Sequence, residues 1–282
     1  MFSSMRRAWN KAIWHPCLAV CCLALCAPLM AAPQEYSFGV VPQFEQRKLF
    51  AIWRPIIEDI TQRSGVQLKF VVAMSVKEFE GQLARGAYDF VYTNPYHILR
   101  ESTHQGYIPL VRDAEPLRGL IVVAKDSALK SPADLAGSKL AIPSPNALGA
   151  SLLVRADLER LFKVTVEPVN VNTHSSVYMN VANGLLPAGG GVEKTLSEQE
   201  AAVRDLLRVL YVTREMPSHP ISVHPRVPKS VRTAVQQSIL GLAATSDGQN
   251  LLDKVPMRQP VATSIKDYVP MRSWGLDRYW TN

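Results

Sequence analysis

The sequence predicts an α/β protein of two lobes with a cleft between them. Three observations predict it. From residue 36 onward, short apolar runs alternate with amphipathic helical stretches, the β-α-β-α-β-α order of a parallel sheet covered by helices. A longer, nearly all-apolar run at 117–124 (LRGLIVVA) separates that unit from a second one of the same kind. A short run at 221–223 (ISV) then reads as a return to the first unit. Two lobes joined by two crossings form a hinged cleft of the sort that closes on a small molecule.

Residues 36–41 (YSFGVV) are the first strand, which ends at Pro42-Gln43-Phe44-Glu45. Leu49, Ile52, Trp53, Ile56, Ile57 and Ile60 follow at helical spacing, and Gly65 ends that helix. Residues 66–73 form a second strand. Ser75 caps the next helix, whose buried face is marked by Phe79 and Leu83. Residues 86–99 (GAYDFVYTNPYHIL) hold a third strand, the polar turn Thr93-Asn94-Pro95 and the start of a helix reaching Gln105. Pro95 suits the first helical position, and Thr93 or Asn94 can cap the helix. Residues 107–111 form a short strand, and 117–124 a longer one buried on both faces. Ser131-Pro132 opens a short helix.

Residues 139–142 begin the second β-α pattern and run into Pro143-Ser144-Pro145-Asn146-Ala147-Leu148-Gly149-Ala150-Ser151. A helix at 150–162 and a strand at 164–171 come next. Thr173-His174-Ser175-Ser176 starts a helix that runs to Asn183-Gly184. A strand or tight passage at 188–192, a helix at 197–205 and a strand at 207–212 complete this unit. After the return, 228–244 is an amphipathic helix and 247–254 a shorter one. Residues 267–279 are a terminal segment rich in aromatics. The segments after the return are expected to pack on the first lobe. The expected lobe limits are 33–117 with 218–282 for the first, and 118–217 for the second.

Residues 1–32 differ in kind. Arg6, Arg7 and Lys11 precede an apolar stretch at 17–27, and the small residues Ala31 and Ala32 follow. This is the layout of a cleavable secretory signal peptide, cut after Ala31 or Ala32, so the protein is expected to be exported to the periplasm. Lipid attachment at Cys21 or Cys26 is disfavoured by the bulky Val20 and Leu25 before them. All four cysteines lie in this stretch. The expected mature chain therefore has no disulfide, thiolate metal site or catalytic thiol. The formal charge of the whole chain is +7. Without Arg6, Arg7 and Lys11, 28 basic residues stand against 24 acidic ones, a balance of +4. These basic residues are scattered, with no run and no interleaved aromatic stripe, so no nucleic-acid partner is expected.

Four polar turns would face the cleft. Each has a plain reading as a helix cap or close packing, and each has a binding reading. Thr93-Asn94-Pro95-Tyr96-His97 offers hydroxyl donors and aromatic walls, with Tyr92 just before it, or else a cap over core tyrosines. His97 is given a supporting role. The small-residue turn Asn146-Ala147-Leu148-Gly149-Ala150-Ser151 offers backbone N–H groups to an anion, or lets a helix lie close on a strand. Thr173, His174, Ser175 and Ser176 are more polar groups than a cap needs. Gly189-Gly190-Gly191 admits backbone to the ligand, or only permits a tight passage.

Enzyme motifs are missing from the sequence. There is no G-x-S-x-G elbow, no H-E-x-x-H, no phosphate loop and no dinucleotide fingerprint. His219 and His224 are too isolated to argue for a metal site. Neither catalytic residues nor a cofactor are expected.

The stretches FGVVPQ, YDFVYTNPYH, DLAGSKLAIPSPNALGASLL, THSSVYMNVANG and PSHPISVHPRVP occur in this order between Phe38 and Val227. In them the chain resembles the PhnD-like phosphate/phosphite/phosphonate solute-binding proteins of ABC transporters. The resemblance implies a type II periplasmic-binding-protein fold. It implies a monomer that captures a small anionic ligand and delivers it to an ABC permease. Carried over position by position, Tyr92, Thr93 and Asn94 would meet the ligand from the first lobe, and Tyr96 beside them is counted with the site. Asn146, Ala147, Gly149, Ser151, Thr173, His174, Ser175 and Ser176 would meet the ligand from the second. The sequence departs from the family at one place. Phosphonate binders present a turn close to S-T-S-G where this chain has Asn146-Ala147-Leu148-Gly149, two hydroxyl donors fewer. The alternatives are a periplasmic sensor of the same fold, signalling to a membrane receptor or kinase, and, more remotely, an exported hydrolase using His174 with Ser175 or Ser176.

Overall fold

The computed structural model describes residues 34–255 and 257–281, so the expected signal segment lies outside the described residues. Two β-sheets organise the chain. The first half of the chain supplies β1 (Glu35–Val40), α1 (Gln46–Ser64), β2 (Gln67–Val72), α2 (Val76–Ala84), β3 (Phe90–Tyr92), α3 (Pro95–His104) and β4 (Ile108–Asp113). The six apolar residues spaced through α1 are all buried, and Gly65 ends the helix at φ 68°. That left-handed conformation suits glycine. Ser75 caps α2 by accepting from the Glu78 amide. Asn94 caps α3 by accepting from the Tyr96 and His97 amides, with Pro95 in the first turn.

The chain then crosses along β5 (Leu117–Ala124) into the second half. There it forms β6 (Lys139–Ile142), a π-helical turn (Leu148–Leu153), α4 (Val154–Leu161), β7 (Glu167–Asn170), α5 (His174–Ala182), β8 (Ala188–Val192), α6 (Glu193–Ser197), α7 (Ala201–Arg204) and β9 (Leu207–Met216). It returns through β10 (Ile221–Val223), followed by α8 (Lys229–Leu242), α9 (Ser246–Leu252) and β11 (Pro260–Ala262). The six-stranded sheet runs β11-β4-β10-β3-β1-β2. Strand β1 is parallel to β2 and β3, and β10 is antiparallel to β3 and β4. The five-stranded sheet runs β7-β6-β8-β5-β9, with β6 parallel to β7 and β8, and β5 antiparallel to β8 and β9.

Four local expectations change. Strand β7 keeps only four residues because its partner β6 is four residues long. Strand β9 instead extends to Met216, since it pairs along the whole of β5. The helix expected at 197–205 is two short ones, α6 and α7, separated where Glu200 takes an extended conformation. The helix expected at 150–162 opens earlier, as the π-helical turn, in which the amides of Ser151 and Leu152 both donate to the Ala147 carbonyl.

The terminal aromatic segment does more than pack on the first half. Tyr268 and Met271 are buried in the core under the six-stranded sheet. Beyond them the chain straps the two halves together. Tyr96 Oη donates to Asp277, and Trp280 lies on Tyr96, His97 and the Arg100 guanidinium. From the other half, Arg160 donates to the carbonyls of Trp274 and Gly275, Arg155 donates to that of Tyr279, and Glu159 accepts from the Tyr279 hydroxyl. The core is likewise continuous across the seam: Leu148, Leu152, Leu153, Val192 and Met216 join the same apolar cluster as Phe38, Trp53 and Tyr92.

Candidate functional site

Strand ends and helix starts from both sheets converge on one small cavity. From the six-stranded half come Val41, Pro42 and Gln43 after β1, Val76 at the start of α2, and Asn94 and His97 at the start of α3. From the other half come Pro143 and Ser144 after β6, Ala147, Leu148, Gly149 and Ala150 at the π-helical turn, His174 at the start of α5 and Val192 at the end of β8. His219, just before β10, closes the hinge side. The cavity measures about 40 Å³. At about 10–15 Å³ per water-sized probe, it holds about three waters or one compact polar group. Two bonds close it across the seam. The His174 amide donates to the Gln43 carbonyl at 3.3 Å, and Asn94 Nδ2 donates to the Asn146 carbonyl at 3.3 Å.

The residues expected from the sequence fall into three groups. Asn94, Ala147, Gly149 and His174 line the cavity. Tyr92, Thr93 and Ser151 are fully buried beside it. Tyr92 is wedged between Trp53 and His219, and neither its hydroxyl nor that of Ser151 has a partner among the described residues. Thr93 Oγ1 lies 3.0 Å from His97 Nδ1. The rest face elsewhere. Tyr96 is turned to Asp277 in the strap. Asn146 gives both ends of its amide away: Nδ2 donates to Glu80 at 3.0 Å and to the Thr281 carbonyl at 2.8 Å, and Oδ1 accepts from the Thr281 amide. Thr173 caps α5 through the Ser176 amide and also meets the Ser176 hydroxyl, while Ser175 and Ser176 are not part of the cavity lining.

The second-half turn meets the cavity through residues 147–150. Among the described residues, the amides of Leu148, Gly149 and Ala150 have no protein acceptor, because they open the π-helical turn. Such a helix start carries a partial positive charge and free donors. Two glycines let this turn lie so close to the sheet. A Cβ on Gly190 would meet the Ala150 carbonyl, and one on Gly119 the Gly149 carbonyl. The glycine run of β8 therefore serves helix-on-sheet packing, the close-packing reading given for 146–151 and neither of the two given for the run itself.

Electrostatically the lining is neutral. Among the described residues that line the cavity, none is Asp, Glu, Lys or Arg. Burial pulls His174 down to about 4. Burial, and then the nearness of His174 and His97, pulls His219 down to about 3. Both imidazoles are neutral at neutral pH. Burial, and then the Asp113 carboxylate, pushes the Tyr92 phenol well above its usual range, so it stays protonated. His97 is fixed on both ring nitrogens. Its Nε2 donates to Glu80 at 2.9 Å, which leaves Nδ1 to accept from Thr93 Oγ1 and Asn94 Nδ2.

Gln43, Ser144 and His219 line the cavity without having been expected there from the sequence, and His97, given a supporting role, lines it too. A signal was present for Gln43, which follows β1 just as Asn94 follows β3. His219 lies in the stretch that returns the chain to the first sheet, where a hinge-side wall must come from.

A family model described as "ABC transporter, phosphonate, periplasmic substrate-binding protein" matches residues 38–268. Among solved structures, the chain is similar to the binding-protein component of an ABC phosphonate transporter from Pseudomonas aeruginosa, with 16% identity and a TM-score of 0.77 over 88% of each chain. It is also similar to PhnD1 of Prochlorococcus marinus in complex with methylphosphonate, with 12% identity and a TM-score of 0.78 over 88% of this chain and 99% of that one. A Xanthomonas citri protein bound to a chloride ion shares 15% identity and a TM-score of 0.71 over 87% and 98%. At these identities the structures speak for the fold, which is the type II periplasmic-binding-protein fold. The family match supports transport over sensing. The chain belongs to the family of periplasmic substrate-binding proteins of phosphonate ABC transporters.

Proposed function

We propose that this protein captures one small oxyanion of the phosphonate, phosphite or phosphate kind between two closing lobes and delivers it to an ABC permease. The lobes are 33–117 with 218–282, and 118–217. Residues 1–32 direct export to the periplasm and are removed. The protein acts as a monomer, without covalent chemistry and without a cofactor.

The observation that carries this reading is the set of amides at 148–150 that have no acceptor among the described residues, in a turn that lines the same cavity as Asn94, Gln43 and His174. An anion there is held by aligned N–H groups and neutral side chains, with no formal counter-charge. Such binding is selective, because each buried donor left unmatched costs about 1–3 kcal/mol. Two hydroxyls that the resemblance would place at Ala147 and Leu148 are replaced by backbone amides and by groups from the facing lobe. The remaining expected residues act around this contact. Tyr92, Thr93 and Ser151 form the layer behind it, Tyr96 and Asn146 hold the closed form, and Thr173, Ser175 and Ser176 shape the start of α5. Methylphosphonate in the similar Prochlorococcus marinus protein fits the same ligand class.

Calorimetry with phosphite, methylphosphonate and phosphate tests the reading. At least one is expected to bind and to be recovered unchanged. The small cavity adds a size prediction: a bulky phosphonate such as phenylphosphonate should bind at least about tenfold more weakly, since holding the lobes apart forfeits closing contacts. Silence from all three small ligands would overturn the oxyanion assignment, and turnover of any would overturn the non-catalytic one.

A further inference from the structure

Glu80, on α2, is not part of the cavity lining, yet both of its carboxylate oxygens are engaged beside it. Oε1 lies 2.9 Å from His97 Nε2, and Oε2 accepts from Asn146 Nδ2 at 3.0 Å. His97 belongs to the first half of the chain and Asn146 to the second, and each is 2% exposed. Neither partner is free to turn. Asn94 Oδ1 accepts from the Tyr96 and His97 amides, so the Asn94 Nδ2 donor faces His97 Nδ1, 3.0 Å away, and that nitrogen must accept. The His97 ring proton therefore sits on Nε2 and faces Glu80. Asn146 Oδ1 accepts from the Thr281 amide, which leaves its Nδ2 to face Glu80. Two N–H donors from the two halves thus converge on one side chain. A carboxylate accepts at both oxygens, whereas the amide of glutamine accepts at one end and donates at the other. The same groups carry the contact further. Asn94 Nδ2 also donates to the Asn146 carbonyl across the seam at 3.3 Å, and Asn146 Nδ2 donates to the Thr281 carbonyl in the strap at 2.8 Å.

We propose that Glu80 is a positioning residue for ligand capture: accepting at both oxygens, it clasps the two halves at the seam and fixes His97 and Asn94, which line the cavity. The inference rests on the capture reading above and deepens it, because it names the group outside the cavity that sets closure there. Loss of one acceptor leaves a buried donor unmatched on one side of the seam or the other. Either His97 and with it Asn94 lose their orientation, or Asn146 loses its hold on the first half. The closed form is then less favoured relative to the open one. Ligand affinity falls with it, since binding must supply the missing part of closure.

The test is a donor–acceptor swap: Glu80→Gln, Asn146→Asp and the two together, compared with the unaltered chain. In Glu80→Gln an N–H is set against the N–H of Asn146 or of His97. In Asn146→Asp two carboxylates face each other. In the double variant the introduced amide donates to the introduced carboxylate and still accepts from His97. Calorimetry with phosphite, methylphosphonate and phosphate reads affinity, and small-angle scattering of the unliganded proteins reads closure. Each single variant should bind its best ligand about tenfold more weakly and show a larger radius of gyration. The double variant lacks the bond from residue 146 to the Thr281 carbonyl, yet it should bind at least about fivefold better than either single variant. A merely structural role would give additive losses, with the double variant the weakest of the four. Should Asn146→Asp fail to fold in a thermal melt, Glu80→Gln alone decides. The inference is overturned if Glu80→Gln keeps the affinity and radius of the parent, or if the losses add in the double variant. If the unaltered chain binds none of the three ligands, the oxyanion reading falls, and the radii alone decide the role of Glu80. If it binds and the swap restores nothing, only the role of Glu80 falls.

Discussion

Two buried imidazoles set the pH behaviour of this protein. His174 and His219 have pKa values lowered to about 4 and about 3 in the folded chain. In the unfolded chain a histidine titrates near 6.5. The unfolded state therefore binds protons below that pH which the folded state refuses, and stability falls as pH drops from about 6.5 toward about 4. For His174 alone the loss amounts to roughly 3 kcal/mol across that window. Urea unfolding at neutral and acid pH measures it. The His174→Asn variant should show a shallower acid limb than the parent, and an unchanged slope would refute the account. The residue scale is also where sequence reading was least complete. Asn146 and Tyr96 look like ligand contacts because they sit at strand-end turns. Within the chain they bond to Thr281 and Asp277, 135 and 181 residues away. No local pattern reports such a pairing.

The π-helical turn at Leu148–Leu153 is the element on which the site depends. Its wide opening leaves three amides free, and the bare backbones of Gly119 and Gly190 let it settle on the sheet. Gly190→Ala should therefore press on the Ala150 carbonyl, a backbone atom that cannot swing aside. The expected cost is about 1–3 kcal/mol of stability, the usual range for overpacking. Ligand affinity should fall at the same time, because the amides shift with the turn. A thermal melt paired with calorimetry reads both, and a variant that melts and binds like the parent would refute the packing account. Elements elsewhere were more legible. The apolar spacing of α1, the Ser75 cap of α2 and the Asn94-Pro95 start of α3 are encoded within a few residues, so they could be read directly. The lengths of β7 and β9 could not, since a strand is only as long as the neighbour it pairs with.

For the whole molecule, the terminal strap and the seam contacts hold the two halves closed. Asn146 and Trp280 are its two anchors, one on each side. Replacing either with alanine should loosen the closed form more than it unfolds the chain. Small-angle scattering of the unliganded Trp280→Ala variant is expected to give a larger radius of gyration than the parent. Added ligand should restore compactness with affinity several-fold weaker, because binding must then supply the closure that the strap gave before. An unchanged radius and affinity would show that the strap is passive.

The sequence by itself determined the α/β alternation, the crossing at 117–124, the return near 221, the helix caps and the resemblance to PhnD-like proteins. Each of these is written in spacing or in short runs of neighbouring residues. Only the tertiary structure decided which polar groups face the cavity. It turned Asn146 and Tyr96 toward the strap, sank Tyr92 behind His219, brought Gln43, His97, His174 and His219 around one cavity, and left the amides of 148–150 without acceptors among the described residues. The physical reason is that a buried polar group goes where its hydrogen-bonding capacity is met. In this chain many of the partners that meet it are more than a hundred residues away.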